Sequence, residues 1–353
     1  MTAIRSRFLS TLIRTLTYNY GLTMKKNIFR WVFAVVLACQ FSVGALLASQ
    51  NPPAQQPQTE DQEPPEQFRL SVEVELVNVT ATVLDLEGKY VEGLTEGDFK
   101  IYEDGVEQAI SFFSHDLRVP ISMGILIDTS GSMRHKLQQS LQTARELAMA
   151  LGSDDEVFII GFDNDVRVLQ RFGPNGPQVQ QALRGVRSRG ETAAFDAIGL
   201  GLEMMDTARH DKKILLMITD GFDTKSKLKA DDIDELLKRA EVLVYAIGID
   251  DDDDDPEVRR RTRYHIYHYM LARLTGVTGG RAFRLFTGRR YALKSLAEVL
   301  LEELHQQYTL SYYPASGAID QSWREIEVEL DHPGSNVRHR GGYYITQSGQ
   351  QRN

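Results

Sequence analysis

Four continuous apolar runs, separated by amphipathic stretches, constrain the fold of this chain more than any other feature. The runs are Ile121–Ile127, Val157–Gly161, Ile214–Thr219 and Val242–Ile249. Uninterrupted apolar segments of this length are typical of strands buried on both faces of a parallel sheet. Helical patterns at Met133–Leu151 and Ala193–Ala208 lie between them. The alternation predicts an α/β fold with a doubly wound, mostly parallel, Rossmann-like sheet over residues 119–307.

The segments on either side of this region follow a strand pattern instead. Short alternating runs within residues 68–118 are separated by the turn sequences Glu87-Gly88-Lys89 and Glu103-Asp104-Gly105, which predicts about four strands. After a last helix at Leu296–Gln307, strand patterns return within residues 308–347, and residues 348–353 form a tail. Neither set of strands is large enough to bury a core alone. We therefore expect both ends to pair in one β-sandwich-like unit that flanks the α/β domain.

The first 50 residues are typical of an export segment. Lys25, Lys26 and Arg30 precede an apolar run from Trp31 to Ala48, and no acidic residue occurs before residue 51. A cationic stretch followed by an apolar one predicts a secretory signal or an uncleaved membrane anchor, with Met24 as an alternative start to Met1. Residues 51–67 contain five prolines and predict an extended linker. The chain is expected to be periplasmic, secreted or anchored in the cell envelope, with membrane contact only through this anchor.

The cysteine and charge content narrows the possible partners. Cys39, the single cysteine, lies within the apolar run, which continues past it, so an ordinary signal residue is favoured over a lipoprotein site. The net charge is -9 for the whole chain. After residue 50 there are 34 Lys and Arg residues against 49 Asp and Glu residues. Such an acidic surface repels nucleic acids, so DNA and RNA are not expected as partners.

A short polar turn directly follows the first apolar run. It reads Asp128-Thr129-Ser130-Gly131-Ser132 and offers one carboxylate and two serine hydroxyls. In an open parallel sheet, ligands bind beyond the carboxyl ends of the strands. Asp220 ends the next central strand and Thr192 precedes the second helical pattern, so both are expected at the same edge. Oxygen donors without His or Cys select Mg²⁺, Mn²⁺ or Ca²⁺ over zinc. The predicted metal site comprises Asp128, Ser130, Ser132, Thr192 and Asp220.

A purely structural interpretation of the same turn is possible. Asp128 and Ser130 are good helix caps and could simply begin the helix that follows. This interpretation explains the polar residues of one loop only. The sequence places oxygen donors in three loops, at Asp128–Ser132, Thr192 and Asp220. A metal site is therefore favoured.

At these residues the chain resembles the von Willebrand factor type A family, whose metal-ion-dependent adhesion site is D-x-S-x-S followed by a later Thr and Asp. The resemblance spans about Val119 to Gln307 and includes Thr192–Ile198 and Asp220–Asp223. The flanks Val91–Phe99 and Gln307–Pro314 resemble those of a bacterial subgroup common in acidobacteria. The resemblance implies a Mg²⁺ cofactor, or Mn²⁺ or Ca²⁺, and a protein partner that offers a carboxylate or other oxygen to the metal. Glu191 departs from the family pattern, where glycine is frequent, and would add a carboxylate beside the metal.

Catalytic and further metal-binding motifs are weak by comparison. An aspartyl-phosphate hydrolase needs a second Asp two residues after the first, and that position is Ser130. His265 and His268 are expected to be solvated or packed. The acidic run Asp250–Asp255 could bind Ca²⁺, but it lacks the alternation and glycine turn of a calcium loop, so a solvated loop is favoured. No nucleophile is paired with a base, so no catalytic residue is assigned and the protein is predicted not to be an enzyme.

Two functions remain compatible with these patterns. In the first, the metal captures a partner protein, as in an adhesion module. In the second, the metal is structural and the chain is an envelope scaffold whose β unit makes the contacts. Loss of Thr192 should impair partner capture in the first case and only stability in the second.

Overall fold

The computed structural model describes residues 76–115, 119–221, 223–250, 262–286, 290–315 and 322–344, with the side chains of 262–268 and 290–295 excepted. These residues belong to one compact unit, Leu70–Asn353. The export segment, the linker, Cys39, the tail and the acids of 251–255 lie outside the described residues, as do the side chains of His265 and His268. Within the described ranges, no helix has the length and apolar character needed to span a membrane.

The described strands form three sheets. In chain order they are β1 (Val77–Asp85), β2 (Phe99–Glu103), β3 (Val106–Gln108), β4 (Ile110–Ser114), β5 (Ile121–Asp128), β6 (Glu156–Phe162), β7 (Val166–Gly173), β8 (Lys212–Thr219), β9 (Leu243–Asp250), β10 (Ala282–Phe286), β11 (Gln307–Tyr312), β12 (Trp323–Leu330), β13 (Ser335–Arg338) and β14 (Gly342–Tyr344).

The described helices lie mainly between the strands of the central sheet. They are α1 (Leu137–Ala150), α2 (Pro177–Ala182), α3 (Ala194–Met205), α4 (Ala230–Arg239), α5 (Thr262–Gly276) and α6 (Arg290–His305), and short 3-10 turns occur at Glu96–Asp98 and Gly131–His135.

The central sheet has the strand order β10-β9-β8-β5-β6-β7. Its neighbouring strands run parallel, except that β7 is antiparallel to β6. Every residue of β5 is buried, as its continuous apolar sequence predicts. Ile125 and Ile127 pack in a core with α1, α2 and α6, whereas Leu126 packs in a second core with α3, α4 and α5. The expected doubly wound, mostly parallel α/β fold is confirmed.

Two antiparallel sheets flank this domain, and both ends of the described chain contribute to each. One has the order β13-β1-β11-β4 and the other has the order β14-β12-β2-β3. Val79 of β1 pairs with Leu310 of β11, and Ile101 of β2 pairs with Val328 of β12. These four side chains are buried in a core separate from the two beside the central sheet. The N-terminal and C-terminal strands therefore share one hydrophobic core.

Candidate metal centre

The candidate site lies at the carboxyl edge of the central sheet. β5 and β8 are parallel neighbours, with Ile127 opposite Ile218. This register brings Asp128, at the end of β5, beside the end of β8, which Asp220 directly follows. The parallel pairing therefore places the two predicted carboxylates at the same edge, as the positions of the apolar runs indicate.

Asp128 is fully buried, and its two carboxylate oxygens accept hydrogen bonds from different residues. Its Oδ1 accepts a hydrogen bond from the Ser130 main-chain N–H at 2.8 Å, and its Oδ2 accepts one from the Thr219 hydroxyl at 2.6 Å. Burial raises the pKa of Asp128 to about 6, the charge of Asp220 adds to this, and the hydrogen bonds from Thr219 and Ser130 oppose it. The carboxylate is thus held in one orientation in an environment that a cation would stabilise.

The two serines connect this carboxylate to Asp220. The Ser130 and Ser132 hydroxyl oxygens are 3.0 Å apart, and Ser132 donates to Oδ1 of Asp220 at 2.7 Å. Oδ2 of Asp220 accepts a hydrogen bond from the Lys136 ammonium at 2.9 Å. Ser132 is exposed while Asp128 is buried, so the cluster is open to solvent on the serine side. The sequence analysis missed Lys136, although its position eight residues after Asp128 brings it to the beginning of α1.

Thr192 is buried in the loop that precedes α3, the third loop of the candidate site. The main-chain N–H of Gly131 donates to the carbonyl of Gly190 at 2.9 Å, which holds this loop against the turn Asp128–Ser132, here called the serine turn. The Thr192 N–H donates to the Thr224 hydroxyl at 3.0 Å, and the Thr192 carbonyl accepts the Thr224 N–H at 2.8 Å. Thr192 is therefore fixed between the turn after β5 and the loop after β8, where the sequence predicts it.

Gly190 permits a close approach of this loop to Asn164. Its φ of +70° lies in the left-handed region, and a Cβ added there would lie 2.7 Å from the side-chain oxygen of Asn164. That oxygen also accepts the main-chain N–H of Glu191 at 2.7 Å. The Glu191 carboxylate forms an ion pair with Lys225 at 3.2 Å, and both side chains are more than half exposed. The extra negative charge expected at Glu191 is thus offset at the surface by Lys225.

The donor set fits a hard divalent cation. The Asp220 carboxylate and the two serine hydroxyls are joined by contacts of 2.7–3.0 Å. The Asp128 carboxylate is joined to Ser130 through the main-chain N–H at 2.8 Å, and Thr192 lies in the adjoining loop. Among the residues that the structure describes, no three His, Cys, Asp or Glu side chains cluster as a metal site. The candidate centre therefore depends on mixing hydroxyl and carboxylate oxygens, which suits Mg²⁺ better than a softer metal.

Comparison with known families agrees with this architecture. Residues 123–222, from the first central strand to the loop after β8, match the family model of the von Willebrand factor type A domain. The chain contains a von Willebrand factor type A domain. The matched segment includes Asp128, Ser130, Ser132, Thr192 and Asp220.

Two curated proteins are similar to parts of the chain. One is an uncharacterized protein from Synechocystis sp., 27% identical over 114 residues, which cover 30% of this chain and 26% of that protein. The other is inter-alpha-trypsin inhibitor heavy chain H3 from Rattus norvegicus, 25% identical over 175 residues, which cover 42% of this chain and 20% of that protein. The matches thus span about a quarter and a fifth of those relatives.

Solved structures with similarity to the chain include other von Willebrand factor type A proteins. A von Willebrand factor type A protein from Catenulispora acidiphila aligns with a TM-score of 0.42 and 13% identity, covering 70% of this chain and 72% of that one. The vWF domain of the type V pili tip protein Mfa5 from Porphyromonas gingivalis aligns with a TM-score of 0.39 and 12% identity, covering 52% and 95%.

A buried carboxylate that the sequence analysis missed supports the serine turn of the von Willebrand factor type A domain. Asp163 follows β6 and has a side chain that is 1% exposed. It accepts two hydrogen bonds from Arg167, at 2.7 and 2.8 Å, and one from Nε of Arg189 at 3.3 Å. Arg167 also donates to the Thr129 hydroxyl at 3.1 Å. An acid directly after a central strand, followed by an arginine four residues later, is the signal that could have identified this cluster.

Proposed function

We propose that this chain is an exported binding protein, and not an enzyme, whose von Willebrand factor type A domain captures a partner protein through a divalent cation. Domains of this family commonly mediate protein interaction or adhesion. The observation that supports the proposal is the convergence of three loops whose donors are all oxygens. Asp128, Ser130, Ser132, Thr192 and Asp220 would hold Mg²⁺ or Mn²⁺.

When bound, the cation would supply a Lewis-acidic position for an oxygen atom of the partner. Asp128 is buried and oriented by Thr219 and Ser130, so it is suited to hold the ion at the base of the site. Ser132 lies at the exposed side, where a partner has access. Thr192 is buried between the serine turn and the loop after β8, and main-chain hydrogen bonds join its own loop to both. Its position therefore depends on the positions of those two loops.

The charges at the rim favour an anionic group on the partner. Arg189 is anchored through Nε on Asp163, and its side chain is 67% exposed. Its main-chain N–H donates to the Thr129 carbonyl at 2.8 Å, so this arginine is adjacent to the serine turn. An exposed guanidinium beside a bound cation would attract a carboxylate of a partner protein.

Metal binding is the first test. Wild-type protein should take up one Mg²⁺ or Mn²⁺ per chain by calorimetry. Its unfolding free energy should then rise by about 2.7 kcal/mol at a hundredfold excess over Kd, because the ion binds only the folded state. Asp128→Ala should abolish both effects, since the hydroxyls alone hold a divalent ion weakly. Wild-type protein that binds neither ion at millimolar concentration would refute the proposal.

Partner capture is the second test. Purified chain would be immobilised and exposed to cell-envelope extract with Mg²⁺ or with EDTA, and the captured proteins compared. Thr192→Ala should retain metal but lose the EDTA-sensitive capture, because in the resembling family this threonine ligates the metal directly when the partner is bound. Thr207→Ala, the same substitution after the other end of α3, should behave as wild type. If Thr192→Ala and EDTA lower thermal stability but leave capture intact, the metal is structural and the scaffold function applies.

Export is tested separately, because the relevant residues lie outside the described ranges. A reporter that is active only in the periplasm would be fused after residue 60. We expect activity because the cationic and apolar pattern of residues 25–48 directs export. A reporter that works only in the cytoplasm would contradict the location but leave the metal site unaffected.

A further inference from the structure

Lys136 is a buried cation in direct contact with a proposed metal ligand. Its side chain is 11% exposed and that of Asp220 is 2% exposed, with 2.9 Å between Nζ and Oδ2. Lysine is rarely buried unless it is paired. The Lys136 carbonyl accepts the main-chain N–H of Ser140 at 3.0 Å and its hydroxyl at 3.2 Å, which fixes the lysine backbone at the beginning of α1. The ammonium is therefore held at the site by the fold.

The contacts of Asp220 place this ammonium in competition with a metal. Oδ1 of Asp220 accepts the Ser132 hydroxyl, and Oδ2 accepts Lys136. A divalent cation that approaches Asp220 must either displace the ammonium or bind a few ångströms from a positive charge. Both cases oppose metal binding, because like charges repel strongly where solvent screening is poor.

We propose that Lys136 is a built-in counter-cation that keeps the site formed when no metal is bound and weakens metal binding, so that the metal exchanges readily. This inference rests on the proposed function, since it assumes that Asp220 helps to hold the ion. In this arrangement the ammonium offsets the charge of Asp220 beside Asp128. The site then responds to changes in divalent cation concentration instead of staying permanently loaded.

The test compares Mg²⁺ affinity among variants of the full chain by calorimetry. Lys136→Met removes the charge at similar length, and Lys136→Gln removes the charge but keeps a hydrogen-bond donor. Both should bind Mg²⁺ on the order of tenfold more tightly than wild type, because the repulsion is lost. Both should also melt at a lower temperature in EDTA. Lys100→Met, an exposed substitution on β2 with the same charge change, should leave Mg²⁺ affinity unchanged.

The outcomes separate this inference from the proposed function. Wild type that binds Mg²⁺ while both Lys136 variants bind it equally or more weakly would overturn the counter-cation role and leave the metal site standing. Tight binding by Lys136→Gln together with weak binding by Lys136→Met would assign Lys136 to positioning Asp220, and would also overturn it. Binding by the Lys136 variants but not by wild type would support the inference and refute metal-dependent capture. No binding by any of these proteins would refute both.

Discussion

Asp163 shows how one buried carboxylate organises the residues around the candidate metal centre. It accepts hydrogen bonds from Arg167 and Arg189, while its own carbonyl accepts the Ala193 main-chain N–H at 2.8 Å. Burial acts to raise the pKa of Asp163, but the hydrogen bonds from Arg167 and from the Asp165 backbone, with the Arg167 charge, lower it to about 2. Asp163 therefore connects the loop after β6 to the segment from Arg189 to Ala193 through both its side chain and its main chain.

Asp163→Asn should lower the unfolding free energy at pH 7 by about 2–4 kcal/mol, because it leaves two arginines without their shared acceptor charge. A carboxylate whose folded pKa is lowered contributes stability above its unfolded pKa of about 4 and loses it as pH falls toward the folded value of about 2. The gap between wild type and variant should therefore narrow between pH 4 and pH 2.

Urea unfolding of both proteins at several pH values measures this gap. Asp231→Asn, an exposed change in the first turn of α4, serves as the control and should shift stability by less than about 0.5 kcal/mol. An Asp163→Asn protein as stable as wild type at pH 7 would contradict the role given to Asp163.

At the scale of elements, the connection from α5 to β10 depends on a glycine. A Cβ at Gly280 would lie 1.9 Å from the main-chain carbonyl oxygen of Val244 in β9, so the two backbones pack in direct contact. Gly280 also donates its N–H to the Thr275 carbonyl at 3.0 Å. Only a residue without a side chain permits this turn to lie against β9.

Gly280→Ala should destabilise the protein by more than about 2 kcal/mol, because a backbone atom cannot move aside as a side chain can. Gly276→Ala provides a matched control four residues earlier in the chain. A Cβ there meets no atom within 4 Å, and Gly276 ends α5, so this change should be neutral or slightly stabilising. Thermal unfolding of the two variants measures the contrast, and equal melting temperatures would contradict the packing argument.

The elements that the sequence predicts are those with a clear hydrophobic pattern. The four apolar runs become β5, β6, β8 and β9. Strands that are buried on both faces have continuous apolar sequences, which makes them easy to recognise. β7 was not predicted: it is an antiparallel edge strand, and its residues are partly exposed on both faces, so neither alternation nor a continuous run results. α2 is too short for a helical period, with six residues.

The first residues of the helices are predicted less accurately than the helices themselves. The first helix, expected from Met133, begins at Leu137 after the 3-10 turn Gly131–His135, and the last helix begins at Arg290, ahead of the expected Leu296. Among the residues of the candidate site, the five proposed oxygen ligands follow from motif spacing. Lys136 and Asp163 do not, because their roles depend on contacts 84 and 26 residues away in sequence, with Asp220 and Arg189.

At the scale of the whole molecule, buried polar contacts join the α/β domain to the flanking strands. The Gln307 side-chain amide, at the start of β11, donates to the Tyr245 hydroxyl in β9 at 3.0 Å. Glu303 of α6 has a fully buried side chain and forms ion pairs with Arg281, before β10, and with Arg338 of β13. α6 leads directly into β11, so the last helix is joined to the flanking strands by the chain as well as by these contacts.

The shared core makes the N-terminal strands dependent on the C-terminal ones. In one sheet β11 lies between β1 and β4, and in the other β12 lies beside β2. Removing residues 308–346 would expose the edges of β1, β2 and β4 together with the core residues Val79 and Ile101. Unpaired strand edges with exposed apolar side chains promote aggregation.

Deletion of residues 308–346 should therefore cause aggregation, or rapid protease cleavage within residues 77–114. The N-terminal strands would lose their pairing partners and the core residues Tyr308, Leu310, Tyr312, Ile326 and Val328. Limited proteolysis with mass spectrometry locates the cuts. A chain that ends at residue 347 retains every strand from β11 to β14 and should remain resistant, which controls for truncation itself. If residues 77–114 stay resistant after the deletion, the N-terminal strands fold as an independent unit and the shared core contributes little to their stability.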